Sequence, residues 1–314
     1  MLEFIKNPNF DFLGKSRYFV GLSLLLILAG LGAMAREGGL RSGVEFSGGT
    51  QLIVRFQAAP QTDRIRAAVE SVSPGAVIQS YDAPSRNQVL IRIAGASGSE
   101  EEISAPAEAA LQALGRLYSD NPVLESSSEI VGPVVGAELR QKAIQLTVLG
   151  LLFQLIYIGI RFGGGVWGSA ATIAALHDVL ITLGLLSLAG YEITLNVIAA
   201  LLTLVGYSVN DTIVIFDRIR ENLRQRRKDA FPKLVNDSLN QTLTRTLISN
   251  GTTFLAVLGL YLFGGEVLKG FGFTMVIGIV VGTYSTIYIA TPIVVWWQGR
   301  KAGRPPAAAA KAAL

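Results

Sequence analysis

The stretch Ile193-Thr-Leu-Asn-Val-Ile-Ala-Ala-Leu-Leu-Thr-Leu-Val-Gly-Tyr-Ser-Val-Asn-Asp-Thr-Ile-Val-Ile-Phe216 is apolar along most of its length and holds one carboxylate, Asp211. About 20 apolar residues suffice to cross the hydrocarbon core of a bilayer. An acid placed at that depth costs about 2.5–3.5 kcal/mol on insertion scales, so a chain that keeps one is expected to use it to carry an ion or a proton.

The surrounding composition agrees with a membrane setting. Of 314 residues, 50% are apolar and 16% charged, too few charges for two water-soluble domains. The chain has no cysteine and a single histidine, His177, which excludes disulfides, thiolate chemistry and a multi-histidine metal centre. No metal or cofactor is expected. The net charge of +4 conceals a split, because residues 36–140 carry 9 Lys/Arg against 13 Asp/Glu. The basic remainder flanks hydrophobic spans, which is a poor arrangement for binding nucleic acid.

Six apolar stretches approach or exceed spanning length: Tyr18–Ala35, Ile144–Ile160, Val166–Ala189, Ile193–Phe216, Leu247–Phe263 and Phe271–Trp297. Trp296 and Trp297 close the last, where aromatic rings favour the membrane interface. The division expected is an N-terminus and first span over 1–35, an external domain over 36–140, five spans over 141–297 with an amphipathic loop at 217–245, and a tail over 298–314.

Lys/Arg placement sets the expected orientation. Arg218, Arg220, Arg224, Arg226, Arg227, Lys228, Lys233 and Arg245 fall in or beside one loop, with Lys6, Lys15, Arg17, Arg161, Arg300, Lys301 and Arg304 on the same side. The short opposite loops offer only Lys269. The positive-inside rule then puts both termini in the cytoplasm and residues 36–140 outside. Ala33-Met34-Ala35 resembles a signal-cleavage site, but the long N-terminal segment with Glu3 and Asp11 is a poor signal n-region.

Periodicity divides the external segment. Gln51–Phe56, Ala76–Tyr81, Gln88–Ile93 and Val123–Val131 read as strands, while Asp63–Val72 and Ala105–Tyr118 read as helices. That β-α-β-β-α-β order is ferredoxin-like. The fold class expected is therefore a polytopic α-helical membrane protein, with six transmembrane helices and an external ferredoxin-like α+β domain between helices 1 and 2. The domain shows no nucleophile set, paired carboxylates or phosphate-binding loop, so it is built to touch something rather than to catalyse.

The candidate chemistry lies in the spans. Gly206–Asn222 runs from the fourth span into the basic loop as one helical pattern. Asp217 reads as an interfacial acid screened by Arg218 and Arg220, whereas Asp211 reads either as a proton carrier or as a static packing pair. Arg245, at the start of the fifth span, is a candidate partner for Asp211 or a snorkelling cation. Ser249, one turn on, is placed to hydrogen-bond in the path. His177 and Asp178 near the middle of the third span, with Asn210 and Thr212 beside Asp211, are candidates for a supporting polar network. Gly278-Ile-Val-Val-Gly282, with Gly184, Gly206 and Gly259, permits close helix packing.

Gly43-Val-Glu-Phe-Ser-Gly-Gly-Thr50, Val131-Gly-Pro-Val-Val-Gly-Ala-Glu-Leu139, Gly206–Asn222 and Thr242–Thr253 together resemble the SecF family, which belongs to the resistance-nodulation-division superfamily. The resemblance covers residues from about 40 to 297. It implies a subunit of SecDF that uses the proton gradient to assist polypeptide export through the Sec channel at a late, outside-facing step. Asp211 and Arg245 then match the family's proton-transport acid and arginine, and Ser249 stands where the family often has threonine. The partners implied are SecD, the SecYEG channel, YajC, the unfolded polypeptide in transit and the lipid bilayer, but no nucleic acid. A small-molecule exporter would be expected to carry two six-span blocks, and a bare scaffold would tolerate loss of Arg245.

Overall fold

The computed structural model describes residues 8–36, 39–81, 84–94, 100–225 and 229–302. Lys6, Arg226, Arg227, Lys228 and Arg304 of the orientation argument, and most of the tail, lie outside them. Among the described residues, six helices are long and apolar enough to cross a membrane.

The first span is α1, Phe12–Arg36. A short helix α2 (Val44–Ser47) leads into β1 (Gly49–Phe56), followed by α3 (Thr62–Glu70), β2 (Val77–Tyr81), β3 (Gln88–Ala94), α4 (Glu100–Leu117) and β4 (Val123–Val131). The strands form one antiparallel sheet in the order β2-β3-β1-β4, the arrangement expected of a β-α-β-β-α-β module. Alternation fixes its faces. Leu52, Val54, Phe56, Val89 and Ile91 point into a core completed by Ile65 and Val69 of α3 and Leu114 of α4. Gln51, Gln79, Tyr81, Leu90 and Arg92 belong to the opposite face, which looks onto the helix bundle across a cavity of about 300 Å³.

The remaining spans are α5 (Pro133–Phe162), α6 (Gly165–Leu188), α7 (Leu195–Gln225), α8 (Phe231–Phe263) and a sixth built from α9 (Gly265–Ser285), a π-helical turn at Thr286–Ala290 and α10 (Thr291–Ala302). Sequence signals explain several ends. Proline occupies the first turn of α5 and α8, where a missing N–H costs nothing. Gly163 closes α5 with φ near 70°, the left-handed value that favours glycine. Helix α5 begins well before the expected Ile144 because its polar first turns continue the helix outside the apolar stretch, where Lys142 pairs with Glu138 at 2.6 Å.

Helices α6, α7 and α9 form the bundle centre, while α1, α5 and α8 expose most of their surface. Lipid tails are as apolar as leucine, so backbone approach and hydrogen bonds must hold these helices together. Gly184 provides one such approach: a Cβ on Gly30 of α1 would sit 2.6 Å from its Cα. Gly278 and Gly282 face Leu204 and Ser208 of α7, whereas Gly206 and Gly259 meet nothing within 4 Å.

Candidate functional site

Asp211 and Asp178 place two buried carboxylates at the centre of the bundle. Asp211 on α7 is 4% exposed, and Asp178 on α6 is fully buried. In hydrocarbon each must find donors within the protein.

Asp211 accepts a hydrogen bond from Nδ2 of Asn250 on α8. The same amide donates to Thr283 Oγ1 on α9 at 2.7 Å, and its Oδ1 accepts from the Tyr207 hydroxyl at 2.9 Å. Asn250 thus ties three helices at the level of the acid. Arg245 is exposed and forms no ion pair with Asp211 among the described residues. Helix geometry accounts for this: at about 100° per residue, Asn250 lies about 140° around α8 from Arg245. Ser249 shares the exposed face with Arg245.

Asp178 is better supplied. It accepts from Ser208 Oγ on α7 at 2.6 Å, from Ser285 Oγ on α9 at 2.9 Å, and meets His177 Nδ1 at 2.9 Å. The other histidine nitrogen lies 3.3 Å from the Tyr284 hydroxyl, which in turn lies 2.9 Å from Ser23 Oγ of α1. A polar chain therefore crosses from α1 through α9 and α6 to α7. Ser208 stands one turn before Asp211, so the two acids address adjoining levels of α7.

Thr212 joins this region through Thr286, at 3.2 Å and within the π-helical turn. Such turns recur at functional sites because they re-aim side chains without ending the helix. Asn210 is exposed and stands apart from both clusters. Asp217 is paired with Arg161 of α5 at 3.4 Å rather than screened by its helical neighbours. Arg218 instead binds Glu221 at 2.7 Å, and Arg220 donates to the Arg161 carbonyl at 3.1 Å.

Sequence reading alone does not single out Asn250, Ser208, Ser285, Tyr284 or Ser23. Asn250 carries a usable signal, since an amide in an apolar helix needs partners. The serines carry none, because a serine can satisfy its hydroxyl on its own helix.

Comparison with known proteins identifies the family of the chain. Residues 114–300 match the family model described as the protein export membrane protein SecD/SecF, C-terminal. The chain is 42% identical over 298 residues to the protein translocase subunit SecF of Calditerrivibrio nitroreducens, covering 93% of this chain and 96% of that one. It is 37% identical to SecF of Endomicrobium trichonymphae, covering 95% and 94%. The crystal structure of SecDF from Thermus thermophilus superimposes with a TM-score of 0.80 at 37% identity, over 93% of this chain and 39% of that longer one. A super-membrane-facing form of SecDF gives 0.71 at 37% identity over 95% and 40%. With six candidate spans, a four-stranded sheet domain and this degree of identity over nearly its whole length, the chain belongs to the SecF family of protein translocase subunits and is a multi-pass membrane protein.

Proposed function

We propose that this subunit pairs with a SecD partner beside the SecYEG channel in a bacterial plasma membrane, with both termini cytoplasmic, and couples inward proton flow to a late step of polypeptide export. The observation that carries the reading is the Asp211 carboxylate, buried in a membrane-spanning bundle with a neutral amide as its direct partner. An amide donor serves an ionised acid and also the carbonyl oxygen of a protonated one, so Asn250 tolerates both states. Arg245 stays charged throughout. Asp211 alternates between a protonated state and an ionised state paired with Arg245, and each favours a different packing of α7. Ser249 and Thr212 offer hydroxyls along the path, and the Asp178 cluster holds α6, α7 and α9 in register around it.

The exposed intramembrane groups Asn210, Arg245 and Ser249 support pairing with SecD. Polar groups at that depth are costly against lipid and face a protein neighbour or a water-filled cavity instead. The energy scale is sufficient, since one charge crossing 100 mV releases about 2.3 kcal/mol. Asp211→Asn tests the reading. The substituted amide keeps the shape of the acid and can still bond to Asn250, but it cannot ionise. The variant should assemble with SecD normally and stimulate export no more than a complex lacking this subunit. Wild-type stimulation by Asp211→Asn would remove the proton role.

A further inference from the structure

Helix α7 is tied to the sheet domain just before it begins. Ile193 donates its N–H to the Arg41 carbonyl at 2.7 Å, and its own carbonyl accepts from the Gly43 N–H at 2.9 Å, forming a parallel bridge between Ser42 and Ile193. The chain passes so closely here that a Cβ on Gly43 would lie 3.1 Å from Thr194 Cγ2. The neighbouring residue, Glu192, forms an ion pair with Arg92 of β3, and the two side chains are only 13% and 16% exposed. The α2 segment that follows Gly43 is in turn seated on α5, where a Cβ on Gly136 would lie 3.1 Å from the Phe46 carbonyl. Residues 191–194 therefore touch the sheet face on one side and continue into α7 on the other, about 24 Å along the helix from Asp211 at 1.5 Å per residue.

Charge at this spot depends on the pairing. Burial pushes the Glu192 carboxyl up, Arg92 pulls it down, Glu45 adds to the rise and Arg41 opposes it. Burial outweighs the rest and leaves the Glu192 carboxyl above its ordinary value, so the contact with Arg92 is the main influence favouring its ionised form. Separation takes the direct partner away from a largely buried charge on each side, which is costly.

We infer that the Arg92–Glu192 pair is the joint that makes α7 and the sheet domain move as one body, a role that rests on the proposed movement of α7 during the proton cycle. The Ile193 backbone bridge fixes the register of the joint, and the ion pair fixes the tilt of the sheet above it. The cavity beside the pair, lined also by Tyr81, Tyr191 and Asn196, gives the sheet room to tilt once the pair opens.

The chain has no cysteine, so two spin labels can be placed uniquely. Cysteines introduced at Ser127 on the exposed β4 and at Leu188 at the end of α6 report the domain-to-bundle distance. Measurements use the full complex with a cysteine-free SecD partner in lipid nanodiscs without a proton gradient. The wild-type pair should give one narrow distance distribution. Arg92→Glu alone and Glu192→Arg alone should each broaden it at least twofold, and the swapped double variant should narrow it again and recover export stimulation. Should a reversal fail to assemble, Glu192→Ala takes its place and is judged by the same width. Wild-type widths in the single variants would overturn the joint, as would a swap as broad as its parents. Because this readout needs no proton movement, it stands apart from the fate of Asp211→Asn.

Discussion

Asn250 shows how one amide can organise a membrane site. It gives a hydrogen bond to the acid on α7, gives another to a hydroxyl on α9 and receives a third from Tyr207. Hydrogen bonds between membrane helices average about 0.6 kcal/mol and reach about 1–2 kcal/mol. By the same measure, Asn250→Ala should lower the unfolding free energy of the detergent-solubilised protein by about 1–3 kcal/mol and reduce proton-dependent export several-fold. Thermal unfolding and an export assay check both parts. Retained stability and full export would make Asn250 a bystander. Asp211 is legible in the sequence because a lone acid in an apolar run has few explanations. Its partner is not, because sequence spacing places Arg245 near α7 without stating which way each residue of α8 faces.

Among the elements, the spans and strands are legible because their periods differ and their lengths fit the bilayer. The polar first turns of α5 and the short helix α2 escape, since neither carries an apolar period. The contact between α1 and α6 is only half legible: Gly184 is visible as a small residue, but its counterpart Gly30 emerges only from the packing. Gly184→Val tests that contact. Its Cβ would lie 2.8 Å from the Gly30 Cα, so α1 must move outward and carry Ser23 away from Tyr284. The expected result is a loss of about 1–3 kcal/mol, in the range for overpacked cores, with faster proteolysis at the N-terminal span. Unchanged stability would mean that α1 is held elsewhere. A double variant with Gly184→Val and Ser23→Ala should cost little more than Gly184→Val alone, because the hydrogen bond is already lost.

Across the molecule as a whole, one chain supplies two buried acids, a central trio of helices and a sheet seated on the end of α7. The exposed faces of α7 and α8 carry polar groups that a lipid neighbour would not satisfy, which is why the proposed working unit includes a second subunit. Within that assembled unit, Asp211 is proposed to gain and lose a proton, and every other functional step follows from that exchange. Infrared difference spectroscopy on the complex in lipid, taken between neutral and acidic external pH, reads the exchange itself. A protonated-carboxyl stretching band should grow on acidification in the wild-type complex, and the part of it carried by Asp211 should be missing from Asp211→Asn, the contributions of all other carboxyls being common to both. An identical band in both complexes, or no band in either, would refute the proton exchange at Asp211.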